Sequence, residues 1–369
     1  MPWTDQVENV RFSGMLTQTN KGIMRKIVIS ILKFLLLLTM FNIISLNAFC
    51  VEKIRWKVQH MNFGPLKKGV EDFRDKIIVL SEGNIKLRLY GPNSRVPNNQ
   101  IYEAVASGQL DGGILSALYL LDKYPELSVF SAIPFGPSPV EYTAWIRYGG
   151  GQELKDEIYE KMNLKALQCS VSSPEAGGWF REKYKSVNEL KGVKMRILGL
   201  GAKVMEKIGV KTQLLSGKDV RNAFKRKEID AYEFGPPRMD EYFKLNLTEY
   251  YYFPGWQQQM SNADFVINLN KWDKLSNVAK SIIKTTCNEW YFNSYVKGNA
   301  AQISPIINFK KNGVKLIRWS EHDLNKIRKA WEEVAYEISN ENPLFKKTYS
   351  SLQNFRKKYA LWSDNAFLK

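Results

Sequence analysis

From Lys53 onward the apolar residues change period in a fixed order, and that order constrains the fold more than any other feature of the chain. Lys53 to Met61 alternates as a half-buried strand does, whereas Pro65 to Ser81 places Val70, Phe73, Ile77 and Leu80 at helical spacing. Asn84 to Tyr90 returns to alternation through Ile85, Leu87 and Leu89 and stops at Gly91-Pro92. Asn98 to Ser107 reads as helix, and Gln109 to Ile114 as a short strand after a turn. A β-α-β-α-β order of this kind predicts an α/β layer with mostly parallel strands.

The order then repeats. Leu164 to Ser170 reads as a strand and Ser186 to Gly192 as a turn and helix start. Strand Val193 to Leu198, helix Ala202 to Ile208 and strand Val210 to Leu215 follow, then a helix capped by Asp219 that runs to Lys227, and strand Glu228 to Tyr232. After Trp256 come long helices over Trp272 to Lys297, Ala300 to Lys310 and His322 to Asn340, the last two separated by a strand from Val314 to Ile317. The fold class is therefore α/β with two lobes and long helices crossing between them. Residues 51–171 form the first lobe, completed by roughly 262–310. Residues 172–261 form the second, completed by roughly 311–345, and 346–369 are a helical tail. Ligands of such sheets sit outside the carboxyl ends of the strands, in the crevice between lobes.

Residues 1–50 stand apart from this pattern. Arg25 and Lys26 precede a mostly apolar run from Ile27 to Leu46, interrupted by Lys33, and Asn47-Ala48-Phe49-Cys50 supplies small residues before a polar start. This is the pattern of a secretory signal peptide that begins at Met24 rather than Met1. The run is also long enough for an uncleaved membrane anchor, which is the alternative; Phe49 directly before Cys50 fits a lipoprotein signal poorly. Downstream only Cys169 and Cys287 remain, so there is no disulfide framework and no CxxC metal site. Two buried free thiols are the expected state, with one bridge as the alternative. The net charge of +17 would suit nucleic acid. However, lysines such as Lys155, Lys161, Lys165, Lys183 and Lys191 are dispersed at helical-surface spacing, and export removes nucleic acid as a partner.

Gly199-Leu200-Gly201 follows a strand and Asp219 lies about twenty residues on, as in a dinucleotide fingerprint. Val204 stands where the third glycine belongs, and Arg196 interrupts the strand, so that reading is rejected. With only His60 and His322, and no GxSxG or HExxH, no catalytic constellation exists. Binding groups are better represented. Arg196 lies in an apolar strand, where a guanidinium is costly to bury unless an anion meets it; a ligand carboxylate and a salt bridge to the other lobe are equally good partners. Glu233, before Phe234-Gly235-Pro236, reads as a metal ligand or a helix cap. Glu175 precedes Gly177-Gly178-Trp179, where two glycines allow close backbone approach and Trp179 can wall a pocket. Tyr250 to Trp256 is an aromatic run that suits either core or pocket wall.

Together these motifs resemble the extracytoplasmic solute-binding subunits of TRAP transporters, the DctP-type proteins, over essentially all of residues 51–350. The stretches that carry the resemblance are Ile101 to Gly112, Ala132-Ile133-Pro134-Phe135-Gly136, Glu189 to Arg196 and Ile229 to Glu233. The branch for 2-oxo acids and related hydroxy acids is the most similar, through Ala144-Trp145 with Tyr148 to Gly151, Gly177 to Phe180, and Tyr251 to Trp256. The resemblance implies a periplasmic-binding-protein fold whose cleft closes on a small carboxylate, a periplasmic location and membrane permease subunits as partners. It implies that Arg196 pairs with the ligand carboxylate and that a cation, calcium or sodium, rests on Glu175, the Glu233 side chain and the backbone of Phe234. Trp179, Tyr119 and Trp256 complete the implied ligand contacts. Two positions depart from the branch: Glu175 stands where it has glutamine and Phe234 where it has tryptophan. The second carboxylate should favour a divalent ion. An extracytoplasmic sensor and a secreted enzyme acting on organic acids are the alternatives. The helix from His322 and the tail aromatics Phe355, Tyr359 and Trp362 offer a surface for a homodimer.

Overall fold

The computed structural model describes residues 24–36, 51–61, 64–121 and 123–366. Residues 24–36 are helical and belong to a unit separate from Lys53–Lys369. The rest of the expected signal segment, including its processing region, lies outside the described residues, as does the end of the tail beyond 366. Among the described residues no helix is long and apolar enough to cross a membrane.

Two sheets organise the main unit. The first contains β1 (Ile54–His60), β2 (Ile85–Tyr90), β3 (Gly112–Leu115), β4 (Leu164–Val171) and β10 (Asn262–Asn268), in the order β2-β1-β3-β10-β4. The second contains β5 (Gly178–Phe180), β6 (Lys194–Arg196), β7 (Lys211–Gln213), β8 (Ala231–Tyr232), β9 (Tyr250–Phe253) and β11 (Lys315–Arg318), in the order β11-β9-β5-β8-β6-β7. β1 pairs in parallel with β2 and β3, as the β-α-β-α-β order predicts, and alternates buried Ile54, Trp56 and Val58 with exposed Arg55 and Lys57. β10 departs from the parallel expectation, since it inserts antiparallel between β3 and β4. Alternation does not reveal it, because five consecutive residues of this central strand, Asp264 to Asn268, are buried and leave no exposed face. β5 runs antiparallel to both β8 and β9.

Serine caps start three of the helices. Ser138 accepts from the N–H of Glu141, Ser276 from that of Ala279 and Ser320 from that of Asp323, each satisfying a donor that the first turn leaves unpaired. Asp219 is not the cap expected of it: the helix is Gly217–Lys225, Ser216 occupies the N-cap, and Asp219 lies in the first turn, where Ser216 Oγ donates to it at 2.6 Å.

The chain passes between the sheets at residues 172–177 and 254–261, and again through helices Asn277–Ala300 and Ile303–Lys311. Helix Asn277–Ala300 packs on β4 and on helix Lys67–Leu80. Helix Glu321–Glu341 packs on helix Gly199–Lys207, beside the second sheet, and helix Pro343–Ala366 returns to helices Pro139–Tyr148 and Gly151–Lys161, beside the first. A disulfide joins Cys169 in β4 to Cys287 in helix Asn277–Ala300. The expectation of two free thiols is therefore corrected: both cysteines are buried, but on elements packed against each other. Lys155, grouped by spacing with the surface lysines, is also corrected. It is fully buried and pairs with Asp264 at 2.6 Å, because helix Gly151–Lys161 lies on β4 beside β10.

Candidate functional site

A cavity of about 720 Å³ opens between the sheets. Its lining follows the carboxyl ends of strands, as expected for an α/β crevice: Met61 after β1, Ser116 after β3, Ser172 after β4, Arg196 at the end of β6 and Glu233 after β8. Leu115, Leu118, Phe73 and Trp290 supply apolar surface beside the first sheet, while Lys68, Asp72, Lys76 and Glu289 add charge from the same helices.

Pairing of β6 with β8 brings Arg196 and Glu233 together. Arg196 is opposite Tyr232 in register, and the Glu233 N–H donates to the Arg196 carbonyl at 2.9 Å. The guanidinium donates through Nε to the Leu215 carbonyl at 3.1 Å and through one terminal nitrogen to the Glu233 carbonyl and, at 3.4 Å, to its Oε2. Its Cζ lies 4.9 Å from the centroid of the Phe234 ring. Both charges are nearly buried, with 7% and 5% of their side chains exposed. The salt bridge considered for Arg196 therefore exists, but within one sheet rather than across the lobes. Among the described residues its second terminal nitrogen has no partner, and Arg196 lines the cavity, so that nitrogen is free to donate to a ligand carboxylate. Glu233 caps no helix: the nearest one, Pro237–Tyr242, has Pro236 at its N-cap.

Glu175 reaches the same place from the 172–177 crossing. Its backbone is fixed by bonds to Gln258 and Gly255, each 3.1 Å, and Gln258 Nε2 donates to Oε1 at 2.5 Å. Burial, and then the charge of and hydrogen bond to Glu233, hold its carboxyl well above the usual range. Asp240 lies behind this pair, accepting at Oδ2 from Trp179 Nε1 (2.8 Å) and Tyr251 OH (2.7 Å), while Oδ1 is buried with no partner among the described residues. Burial pushes its carboxyl up to about 7, with Glu233 adding to the effect. Three acids thus crowd one guanidinium, an imbalance that a cation would relieve. Among the described residues no group of three or more His, Cys, Asp or Glu side chains is placed to hold a metal. The fit therefore rests on two facing carboxylates, Glu175 and Glu233, with backbone oxygen to supplement them, a hard-oxygen set suited to calcium or sodium.

The structure brings Arg196, Glu175, Glu233 and Phe234 to one cavity. It does not bring Trp179 or Trp256. Trp179 is fully buried beneath the second sheet, stacked on Tyr251 with centroids 3.8 Å apart. Gly177 and Gly178 serve internal packing, since an added Cβ would lie 2.6 Å from Trp319 Nε1 and 3.0 Å from the Tyr232 carbonyl respectively. Trp256 stacks on Phe135 in the core. Tyr119 belongs to the turn Ala117–Leu120, and its side chain lies outside the described part of the structure. Gln257, Gln258 and Asp240 escaped the sequence reading. The run Gln257-Gln258-Gln259 directly after Pro254-Gly255-Trp256 was an available signal; nothing in the pattern marks Asp240.

The chain is similar to several known proteins. A monocarboxylate 2-oxoacid-binding periplasmic protein of Nostoc sp. (strain PCC 7120) is 31% identical over 299 residues, covering 80% of this chain and 81% of that protein. A TRAP transporter solute-binding protein of Bordetella bronchiseptica, crystallised as a dimer with copurified calcium and picolinate, superposes with a TM-score of 0.79 at 26% identity, over 85% of this chain and 95% of the other. A TRAP periplasmic solute-binding protein of Pseudoalteromonas atlantica with bound sodium and pyruvate gives 0.77 at 25%, over 85% and 97%. The family model for bacterial extracellular solute-binding proteins of family 7, DctP, matches residues 61–342, and the chain belongs to that family of binding receptors rather than to a family of enzymes.

Proposed function

We propose that this protein binds a small 2-oxo or 2-hydroxy monocarboxylate in its cleft, together with a cation, and delivers it to the membrane subunits of a TRAP-type transporter. The observation that carries the reading is the meeting of one buried guanidinium with two facing carboxyls at the strand ends. Arg196 would take the ligand carboxylate. Glu175, Glu233 and the Phe234 carbonyl would hold the cation, which when bound supplies positive charge to the ligand oxygens. The name of the Nostoc relative and the pyruvate in the Pseudoalteromonas structure support a 2-oxo acid, and calcium and sodium both occur in similar proteins. Glu175 supplies a second negative charge, which favours calcium over sodium. Tyr119 is a candidate contact beside Leu118, whose apolar side chain faces the ligand's tail.

Ligand that touches both walls favours the closed cleft over the open one, and this differential contact is what presents a loaded receptor to its partner. A lobe division near residues 171 and 261, with 262–310 returning to the first lobe and 311–345 to the second, is supported by the sheet to which each strand belongs. The basic and apolar pattern of residues 25–46 supports export by a signal peptide, and the relatives' names support a periplasmic location. Calorimetry of metal-free protein with pyruvate and lactate, with and without calcium, tests the assignment. Binding is expected only with cation present, and Arg196→Lys should weaken it about a hundredfold, since a lysine ammonium cannot keep the bonds to Leu215 and Glu233 that aim the guanidinium while also donating to the ligand. An unchanged affinity in that variant would remove Arg196 from the site.

A further inference from the structure

Phe135 has a φ of 51°, a left-handed conformation that is uncommon for an aromatic residue and persists where the surroundings over-determine it. Four contacts hold it. Its N–H donates to the Trp256 carbonyl at 2.7 Å, and its ring stacks on the Trp256 indole with centroids 6.0 Å apart and planes 25° from parallel. The Arg328 guanidinium lies 4.2 Å from the ring centroid. Arg356 donates through Nη1 to the Phe135 carbonyl at 2.8 Å, while its Nε bonds Glu141 at 3.0 Å. Arg328 and Arg356 come from the two C-terminal helices, Glu321–Glu341 and Pro343–Ala366. Trp256 comes from the 254–261 crossing, so three distant pieces of chain converge on one strained residue.

What lies next to Trp256 gives this convergence its meaning. Gly255 and Gln258 fix the backbone of Glu175 at 3.1 Å each, and Gln258 also fixes its side chain. An unbroken line of contacts therefore runs from the C-terminal helices through Phe135 and Trp256 to Glu175, although neither Arg328, Phe135 nor Arg356 lines the cavity. We propose that Phe135 is the pin by which the two C-terminal helices position the 254–261 crossing, making Arg328 and Arg356 positioning residues for the cation site. The inference rests on the assignment of Glu175 to that site. It gives the C-terminal helices a role in setting ligand affinity: loosening them lets residues 255–258 shift, and Glu175 loses its register with Glu233.

Calcium alone is a sufficient probe. Its Kd is measured by calorimetry on the metal-free full chain, well below the melting temperature, for the wild type, Arg356→Gln, Phe135→Gly and Arg147→Gln. Glycine accepts the left-handed backbone and so removes the ring without adding strain. Arg147, an exposed residue bonded to Asn288, controls for loss of a nearby guanidinium. Arg356→Gln and Phe135→Gly are expected to raise the calcium Kd about tenfold, the size typical of residues that act through others, while Arg147→Gln stays within about twofold. Arg356→Lys, which can still reach the Phe135 carbonyl, should recover part of the loss. Lowered melting temperatures with a calcium Kd unchanged in both variants would overturn the proposal and leave the site assignment intact. A wild type that binds no calcium would overturn both.

Discussion

Gln258 and Glu175 are bonded twice: the Glu175 N–H donates to the Gln258 carbonyl at 3.1 Å, and the Gln258 side-chain amide donates to Glu175 Oε1 at 2.5 Å. Each residue lies on a different passage of the chain between the two sheets. The passages are joined again where the Ser172 N–H donates to the Ser261 carbonyl at 2.9 Å. A proposed cation ligand thus sits where the two crossings run side by side. Charge arriving at Glu175 therefore acts directly on both segments that join the sheets.

Replacing Glu175 by glutamine removes one of two carboxylates but keeps an oxygen for the cation. Calcium affinity should fall by roughly ten- to a hundredfold, because hard divalent ions depend strongly on carboxylate count, while sodium affinity stays within about threefold. Calcium and sodium titrations of the metal-free wild type and variant at a fixed pyruvate concentration check this. Equal losses with the two ions would show that Glu175 does not set cation choice.

Asp240 gives a pH signature. Its carboxyl is pushed from the ordinary 3.8 up to about 7, chiefly by burial. The folded protein therefore holds a proton that the unfolded chain has released between these values. The associated stability is complete below about pH 4 and is lost as pH rises through about 7. Metal-free wild type should melt lower at pH 8 than at pH 5. Asp240→Asn, which cannot ionise, should flatten that part of the profile. Parallel profiles for the two proteins would contradict the account.

The order of elements was legible because most strands have one buried and one exposed face, so that Ile54, Trp56 and Val58 betray β1 without reference to anything else. β10 was not, because a strand between two others and covered on both faces carries no alternation. At the site, Arg196 and Glu233 were visible for a physical reason: each is a charge placed where the pattern calls for burial. Trp179 and Trp256 misled, since a tryptophan beside glycines or in an aromatic run looks the same whether it faces a ligand or the core. Asp240 was silent. Its burial follows from the docking of short helix Pro237–Tyr242 against Trp179 and Tyr251, a tertiary event with no local sign.

The disulfide joins residues 118 apart in sequence, so it restricts a long loop of the unfolded chain. Substituting both Cys169 and Cys287 by alanine should lower the unfolding free energy by about 3–5 kcal/mol, measured by denaturant titration. With both sulfurs buried, reductant alone should act slowly on the native protein and quickly once denaturant is added. Rapid native-state reduction would mean that β4 and helix Asn277–Ala300 separate readily.

Gly255 offers the sharpest steric test of the site. A Cβ at this position would lie 2.2 Å from the carbonyl oxygen of Glu175 and 2.5 Å from its carbonyl carbon, and backbone atoms cannot rotate away as a side chain can. Gly255→Ala must therefore push the two crossings apart, at a cost of about 1–3 kcal/mol in stability. The displacement falls on the peptide that carries Glu175, and the bonds from Gly255 and to Gln258 that hold this peptide lengthen with it. Calcium affinity should drop at least about tenfold, beyond what the lower stability alone would produce in a protein still folded at the assay temperature. Gly91 is a fair control, since nothing lies within 4 Å of its added Cβ and its backbone is not left-handed, so Gly91→Ala should leave both measurements unchanged. A Gly255→Ala protein that loses stability but binds calcium as before would separate the crossing contact from the cation site and detach Glu175 from its proposed role.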